Sequence, residues 1–203
     1  MNSRFYPYAT DSSEREVLAY YFAVIAVALA YLIYLIVDKL HVQIPWWAAL
    51  PSPMPIYLFI RGVFTRYLWR WSIFRKFGIV RIPDLNGIYK GDLWTSHEGG
   101  EMHPCTLVIS QTWTRISIRG RFPKSSSFNM VTGISVEDTA APRLTYEYWN
   151  TPTSDAVGSM QAHRGTIWFD VAFEDGTIEL KGDYYTGRGR ETVGRIEVRR
   201  EPS

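Results

Sequence analysis

Residues 17–37, VLAYYFAVIAVALAYLIYLIV, run for 21 positions without a charged side chain. At about 1.5 Å per residue, a helix of that length covers roughly the 30 Å of a bilayer's hydrocarbon core, so a transmembrane helix is predicted there. A cleaved leader has a shorter apolar region, about 7 to 15 residues, placed behind a basic stretch. Here Asp11, Glu14, Arg15 and Glu16 come first. A second apolar stretch, residues 44–60, contains Pro51, Pro53 and Pro55, each costing about 3 kcal/mol inside a helix. The prolines therefore belong at a helix start, which predicts a second helix over about 54–71 with Trp46 and Trp47 at the membrane interface. From Arg61 onward the basic residues Arg66, Arg70, Arg75, Lys76 and Arg81 follow with no acid between them. By the positive-inside bias, what comes after them is cytoplasmic.

Charge divides the chain at the same place. Residues 1–81 hold 9 Lys and Arg against 4 Asp and Glu, and residues 82–203 hold 13 against 16, a net −3. The expected organisation is a membrane region with a basic juxtamembrane segment over 1–81 and a separate domain over 82–203 that folds without it. A domain of net −3 is a poor partner for DNA or RNA, whose non-specific binding rests on many Lys and Arg contacts to phosphates. The single cysteine, Cys105, excludes an intramolecular disulfide.

From Leu85 the hydrophobic period changes to 2, with turn residues recurring roughly every ten positions, as in antiparallel all-β structure. Eight strands are predicted, over 87–94, 106–111, 114–121, 128–136, 144–149, 166–173, 177–184 and 192–199. The alternation of Ile167, Phe169, Val171 and Phe173 passes through Glu174-Asp175-Gly176 into Ile178 and Leu180, a hairpin signature. Eight strands make either a sandwich or a closed barrel. Closure removes exposed sheet edges, and a barrel of this size holds side chains or one small ligand, so the fold expected is a membrane-anchored, antiparallel eight-stranded β-barrel.

Little in this half suggests catalysis. His97, His103 and Cys105 are close in sequence but offer one thiolate beside a Gly-rich connector, which is a weak metal signal. Gly187-x-Gly189 lacks the Lys-Ser/Thr of a phosphate-binding loop, and no nucleophile-base or paired-carboxylate spacing occurs. No enzyme activity, metal or cofactor is expected. The composition does offer groups suited to a planar anion: Tyr184, Tyr185, Thr186, Arg188, Arg190 and Thr192 fall within nine positions, with Trp113, Tyr148, Asn150 and His163 on other strands or their ends. Guanidinium forks match phosphates, and aromatic faces stack bases. Aromatic residues are also ordinary strand formers and the two arginines flank a turn, so the residues alone leave ligand pocket and plain barrel both open. Arg115 and Arg119 are the next basic pair considered.

Several segments occur in a telling order. Two apolar stretches are followed by Leu68-Trp69-Arg70-Trp71, Pro83-Asp84-Leu85-Asn86-Gly87, Ile109-Ser110-Gln111-Thr112-Trp113, Tyr146-x-Tyr148-x-Asn150-x-Pro152, His163-Arg164-Gly165-Thr166 and Gly182-x-Tyr184-Tyr185-Thr186-x-Arg188-x-Arg190-x-Thr192-x-Gly194. In this the chain resembles the two-transmembrane, β-strand-rich effectors associated with bacterial cGAS/DncV-like nucleotidyltransferases in anti-phage signalling. The resemblance implies that the barrel binds a cyclic dinucleotide made by a partner nucleotidyltransferase. It further implies a ligand-promoted homo-oligomer that acts on the lipid bilayer, disrupting the bacterial inner membrane from a multi-pass location with the barrel in the cytoplasm. Tyr184, Tyr185, Thr186, Arg188, Arg190 and Thr192 are the positions it suggests for the pocket, followed by Trp113, Tyr148, Asn150 and His163. The rivals are a tethered lipocalin-like barrel holding an apolar ligand and a barrel that serves only for assembly.

Overall fold

The computed structural model describes residues 5–41, 52–96, 100–137, 140–158, 160–187 and 192–202. The chain divides into two compact units, Ser13–Arg81 and a second made of Met1–Ser12 with Ile82–Ser203.

In the helical unit α1 spans Glu14–Lys39, with Glu14 and Glu16 in its first turn and Lys39 in its last, each suited to the helix dipole. Leu18, Phe22, Ala26 and Ala30, four residues apart, form its covered stripe, while Tyr20, Val24, Val27 and Tyr31 are exposed. A helix apolar on all sides is at ease in lipid or a protein core rather than in water. Among the described residues α1 alone is long and apolar enough to cross a bilayer. The second helix, α2 (Pro53–Arg66), starts as its prolines require: Ser52 Oγ accepts from Met54 N–H at 3.4 Å, and proline stands in the first turn. Phe64 packs its ring 5.0 Å from that of Phe22 on α1.

The expected run to residue 71 breaks at Tyr67, whose φ of −126° leaves the helical region. A 3-10 turn, Leu68–Arg70, and a short helix α3, Ser72–Lys76, follow. On a continuous helix Trp69 would stand about 140° round from Phe64; with the break, both are buried. At 14 residues α2 is about 21 Å long, short of a full span.

Two short strands, β1 (Tyr6–Pro7) and β2 (Ala9–Thr10), begin the other unit. The main body consists of β3 (Gly87–Thr95), β4 (Met102–Gln111), β5 (Arg115–Phe122), β6 (Ser125–Ser135), β7 (Arg143–Pro152), β8 (His163–Glu174), β9 (Thr177–Thr186) and β10 (Val193–Arg200). Each pairs antiparallel with the next, and β10 pairs with β3, closing an up-and-down barrel of eight strands. All eight predicted strands are present, most of them a few residues longer than the alternation alone indicated. The β8–β9 hairpin turns at Asp175 and Gly176, both at positive φ (49° and 73°), the conformation that a tight two-residue turn demands.

The barrel wall has one seam. β5 and β6 pair only from Arg119 to Phe122 with Ser125 to Phe128. Beyond that the strands part, and Asn129, at a register shift, takes up the slack: its Oδ1 accepts from Ile118 N–H at 2.8 Å and its Nδ2 donates to Thr132 Oγ1 at 3.0 Å. The N-terminal segment fills the gap, with β1 on β5 and β2 parallel to β6. Tyr8 is buried between them and donates from its hydroxyl to Trp113 O at 2.7 Å, while the Asp11 carboxylate accepts from Val136 N–H at 2.8 Å. Gln111 completes this end, its Oε1 accepting from Leu85 N–H at 2.8 Å and its main chain bonded to the Asn86 side chain. Leu107, Ile109, Ile116, Ile134, Leu144 and Leu180 pack the barrel toward this closed end.

Candidate ligand site

An up-and-down barrel has two mouths, each framed alternately by strand ends and strand starts. At the mouth opposite the N-terminal segment lies a cleft enclosing about 990 Å³ of empty space, counting its opening to solvent. Its walls come from the inward parity of every barrel strand: Leu93 and Thr95 of β3, His103 of β4, Phe122 of β5, Ser125 and Ser127 of β6, Tyr148 and Asn150 of β7, His163 and Ile167 of β8, Tyr184 and Thr186 of β9, and Ile196 of β10. Pro123 and Lys124 of the β5–β6 turn, Met160 and Thr192 complete the lining. The floor is aliphatic, through Leu93, Ile167 and Ile196, and hydroxyls, amide and imidazoles stand toward the rim.

Local bonding holds this rim in place. Thr186 and Thr192 clasp each other across the base of the β9–β10 connector: Thr192 N–H donates to Thr186 Oγ1 and Thr186 N–H to Thr192 O, both at 2.9 Å. The turn bearing Lys124 is pinned through its carbonyl, which accepts from Thr153 N–H at 2.9 Å and Thr153 Oγ1 at 3.0 Å. Asn150 Nδ2 points at Met160 Sδ, 3.8 Å away. Two inward glycines make room for the tyrosines. A Cβ on Gly165 would lie 2.3 Å from Tyr148 Oη, and one on Gly194 would lie 2.4 Å from the Tyr184 ring, so a side chain at either position would displace its tyrosine.

Six of the sequence-derived candidates, Tyr148, Asn150, His163, Tyr184, Thr186 and Thr192, are brought together in this cleft. Tyr185 has the opposite parity; it is exposed on the outer wall, its ring 5.7 Å from that of Trp168. Trp113 is buried at the closed end beside Tyr8, away from the cleft. Arg188 and Arg190 lie outside the described residues, between the lining Thr186 and Thr192. Arg115 and Arg119 belong to the outward parity of β5, whose inner face is Ile116, Ile118, Gly120 and Phe122. Lys124, Ser125, Ser127 and Met160 were missing from the sequence reading, and His103 entered it only as a weak metal signal. His97 lies outside the described residues, and among the described ones no three His, Cys, Asp or Glu side chains gather as metal ligands would.

Burial dominates the proton chemistry of the barrel interior. It pushes the Cys105 thiol up to about 12, with the Asp92 carboxylate adding to the effect, and it raises the phenols of Tyr89 and Tyr146 as well. A folded-state shift upward means the unfolded chain loses these protons first, so the associated stability is intact below about pH 9 and is lost as pH rises toward 12. Two results are expected: Ellman's reagent leaves Cys105 unlabelled at pH 8 until denaturant is added, and the melting temperature of the barrel falls through the alkaline range. Rapid labelling of the native protein would contradict the buried thiol.

A closed eight-stranded barrel with a solvent-open, mixed polar and apolar cleft at one mouth is the architecture of a small-ligand receptor. Residues 80–200 match the family model described as Cap15, cyclic dinucleotide receptor domain, and the chain belongs to that family. It is 27% identical over 170 residues to CD-NTase-associated protein 15 of Staphylococcus schleiferi, covering 84% of this chain and 88% of that protein. It is also 29% identical over 145 residues to CD-NTase-associated protein 15 of Yersinia aleksiciae, covering 71% of this chain and 67% of that one.

Proposed function

We propose that this chain is an anti-phage effector whose barrel captures a cyclic dinucleotide made by a partner nucleotidyltransferase and whose helical unit then acts on the bacterial inner membrane. The observation that carries this reading is the cleft itself. Tyr148 and Tyr184 offer faces for bases, the aliphatic floor accommodates a planar ring, and the hydroxyls, imidazoles and Lys124 at the rim offer hydrogen bonds to phosphates and riboses. An apolar cargo of the lipocalin kind would use the aliphatic floor but leave the hydroxyls, amide and imidazoles of the rim without a role.

In this reading the protein is a receptor and has no catalytic role. It sits in the inner membrane through α1 and the second apolar segment, and the basic run to Arg81 keeps the barrel cytoplasmic. Ligand promotes a homo-oligomer, and the assembled helices breach the bilayer, ending the infection with the cell. A ligand moves such an equilibrium only through its differential affinity for the two states, so the assembled form must bind the messenger more tightly than the resting form. Cells making this protein together with an active nucleotidyltransferase are expected to take up an impermeant dye, and cells making either alone are not. Equal uptake without the messenger would show that the barrel is no switch.

A further inference from the structure

Among the described residues no Asp or Glu lines the cleft, although residues 82–203 hold 16 of them. Its titratable lining is Lys124, the imidazoles of His103 and His163, and the phenols of Tyr148 and Tyr184. Both imidazoles belong to the inward face at the mouth: His103 lies opposite Leu93 of β3, and His163 opposite Asn150 of β7. In the closed ring β4 and β8 are equally far apart in either direction, so the two imidazoles stand on opposite walls. On the His163 side β7 supplies Asn150 and the Tyr148 ring, edge-on at 6.3 Å, and β9 supplies Thr186, while Arg164 faces outward over Trp149. On the His103 side are Leu93 and Lys124, and Cys105, two positions along the same inner face, stays neutral with its thiol pushed up to about 12. Glu101 Oε2, just before β4, is 3.9 Å from His103 Nε2, but that side chain is exposed and does not line the cleft. The ring of His163 also has a fixed polarity. Its Nδ1 is 3.0 Å from Gln161 O, and a carbonyl only accepts, so Nδ1 carries the proton. In the neutral ring Nε2 then holds a lone pair, which repels an anion; a second proton turns it into a charged donor.

We propose that His103 and His163 are the titrating anion contacts of the ligand site, one for each phosphate of a cyclic dinucleotide, and that the ligand is bound together with protons. This rests on the cyclic dinucleotide reading above and deepens it by naming the groups on the two walls. Histidine is the one side chain whose ordinary charge change falls between about pH 5 and 8, a range in which phosphodiesters stay ionised. A phosphate beside an imidazole favours the charged ring, so binding draws protons from solvent. By linkage the ligand is held more tightly as pH falls through that range.

The test titrates the full chain in nanodiscs calorimetrically with cyclic di-AMP, cyclic di-GMP and cyclic di-UMP, in pairs of buffers that differ in ionisation enthalpy. For the dinucleotide that binds, the expected result is uptake of on the order of one proton near neutral pH, and affinity about tenfold higher at about pH 5.5 than at about pH 8. His103→Gln and His163→Gln should each remove part of both effects, and the double variant, which keeps His41 and His97, should remove them. Melting temperatures without ligand should stay close to the parent's. Binding by the parent with no proton uptake and the same affinity across the range would overturn the proposal and leave the receptor reading standing, and it needs no variant to fold. A double variant that keeps the parent's proton uptake would also overturn it, by placing the titrating groups elsewhere. If the parent binds none of the three, the proposal falls together with the cyclic dinucleotide reading beneath it.

Discussion

A barrel fragment that begins at Pro83 is expected to be recovered as aggregate or to melt without cooperativity. Addition of a synthetic peptide of residues 1–12 is expected to restore a soluble, cooperatively unfolding species. Without the N-terminal segment β5 loses its partners at Ile116 and Arg115, and β6 loses those at Gly133 and Ile134. Two bare edges then face each other across a gap, the geometry that invites edge-to-edge association. The segment also covers apolar surface, because Tyr8 is buried against Trp113 and Ile116 is fully buried beside it. In the full chain the same logic makes Tyr8→Ala costly, about 3 to 5 kcal/mol for a buried aromatic. Charge and alternation had pointed to a self-sufficient domain starting at residue 82. A fragment 83–203 that unfolds cooperatively by itself, and is unaffected by the peptide, would show that the seam closes without its wedge.

The alternation of apolar residues made the barrel legible because each strand buries one face only, which writes period 2 directly into the sequence. The Asp175-Gly176 turn was equally plain, since few residues tolerate positive φ at both positions. The N-terminal strands could not be read this way. Two residues each leave no period to detect, and their value lies in filling a gap that exists only once β5 and β6 have parted around Asn129.

Legibility of the site followed the same rule. Parity picks Tyr184 and Thr186 over Tyr185, and Tyr148 and Asn150 over Trp149, because only one set faces inward. Local composition carries no information about which mouth a residue occupies, so Trp113 looked equivalent to Tyr148 although the two stand at opposite ends. Topology supplies what composition lacked. In an up-and-down meander one mouth collects the ends of β3, β5, β7 and β9 with the starts of their successors, which is how Lys124, Ser125 and His103 come to share a cleft with Thr186.

Binding of a cyclic dinucleotide is expected to fail when positive charge is removed around the mouth, and to be indifferent to charge on the outer wall. The ligand brings two phosphates to residues 82–203, whose net charge is −3, so attraction depends on a local concentration of cations. Among the described lining residues Lys124 is the single side chain with a permanent positive charge. The sequence places two more, Arg188 and Arg190, between Thr186 and Thr192, both of which line the cleft. Outside, Arg143 is 2.9 Å from Asp170 and Arg195 is 3.6 Å from Asp183, surface pairs of little energetic weight and facing away from the ligand. Arg188→Ala and Arg190→Ala are each expected to cost about 1.5 to 3 kcal/mol of binding, the scale of a charged hydrogen-bond partner. That is roughly 10-fold to 150-fold in affinity. The double variant should lose most measurable binding, and Lys124→Ala should weaken it in the same direction. Arg115→Ala and Arg119→Ala, on the outward parity of β5, serve as controls of equal charge change and should leave affinity unaltered. All variants should melt close to the parent; among the described positions Lys124 and Arg115 are exposed and Arg119 is half-buried, so none of these three belongs to the core. If the controls weaken binding as much as Arg188→Ala and Arg190→Ala do, the phosphates are felt through net charge alone. If the two arginine variants bind like the parent while Lys124→Ala does not, the anion sits against the β5–β6 turn and the β9–β10 connector has no part in holding it.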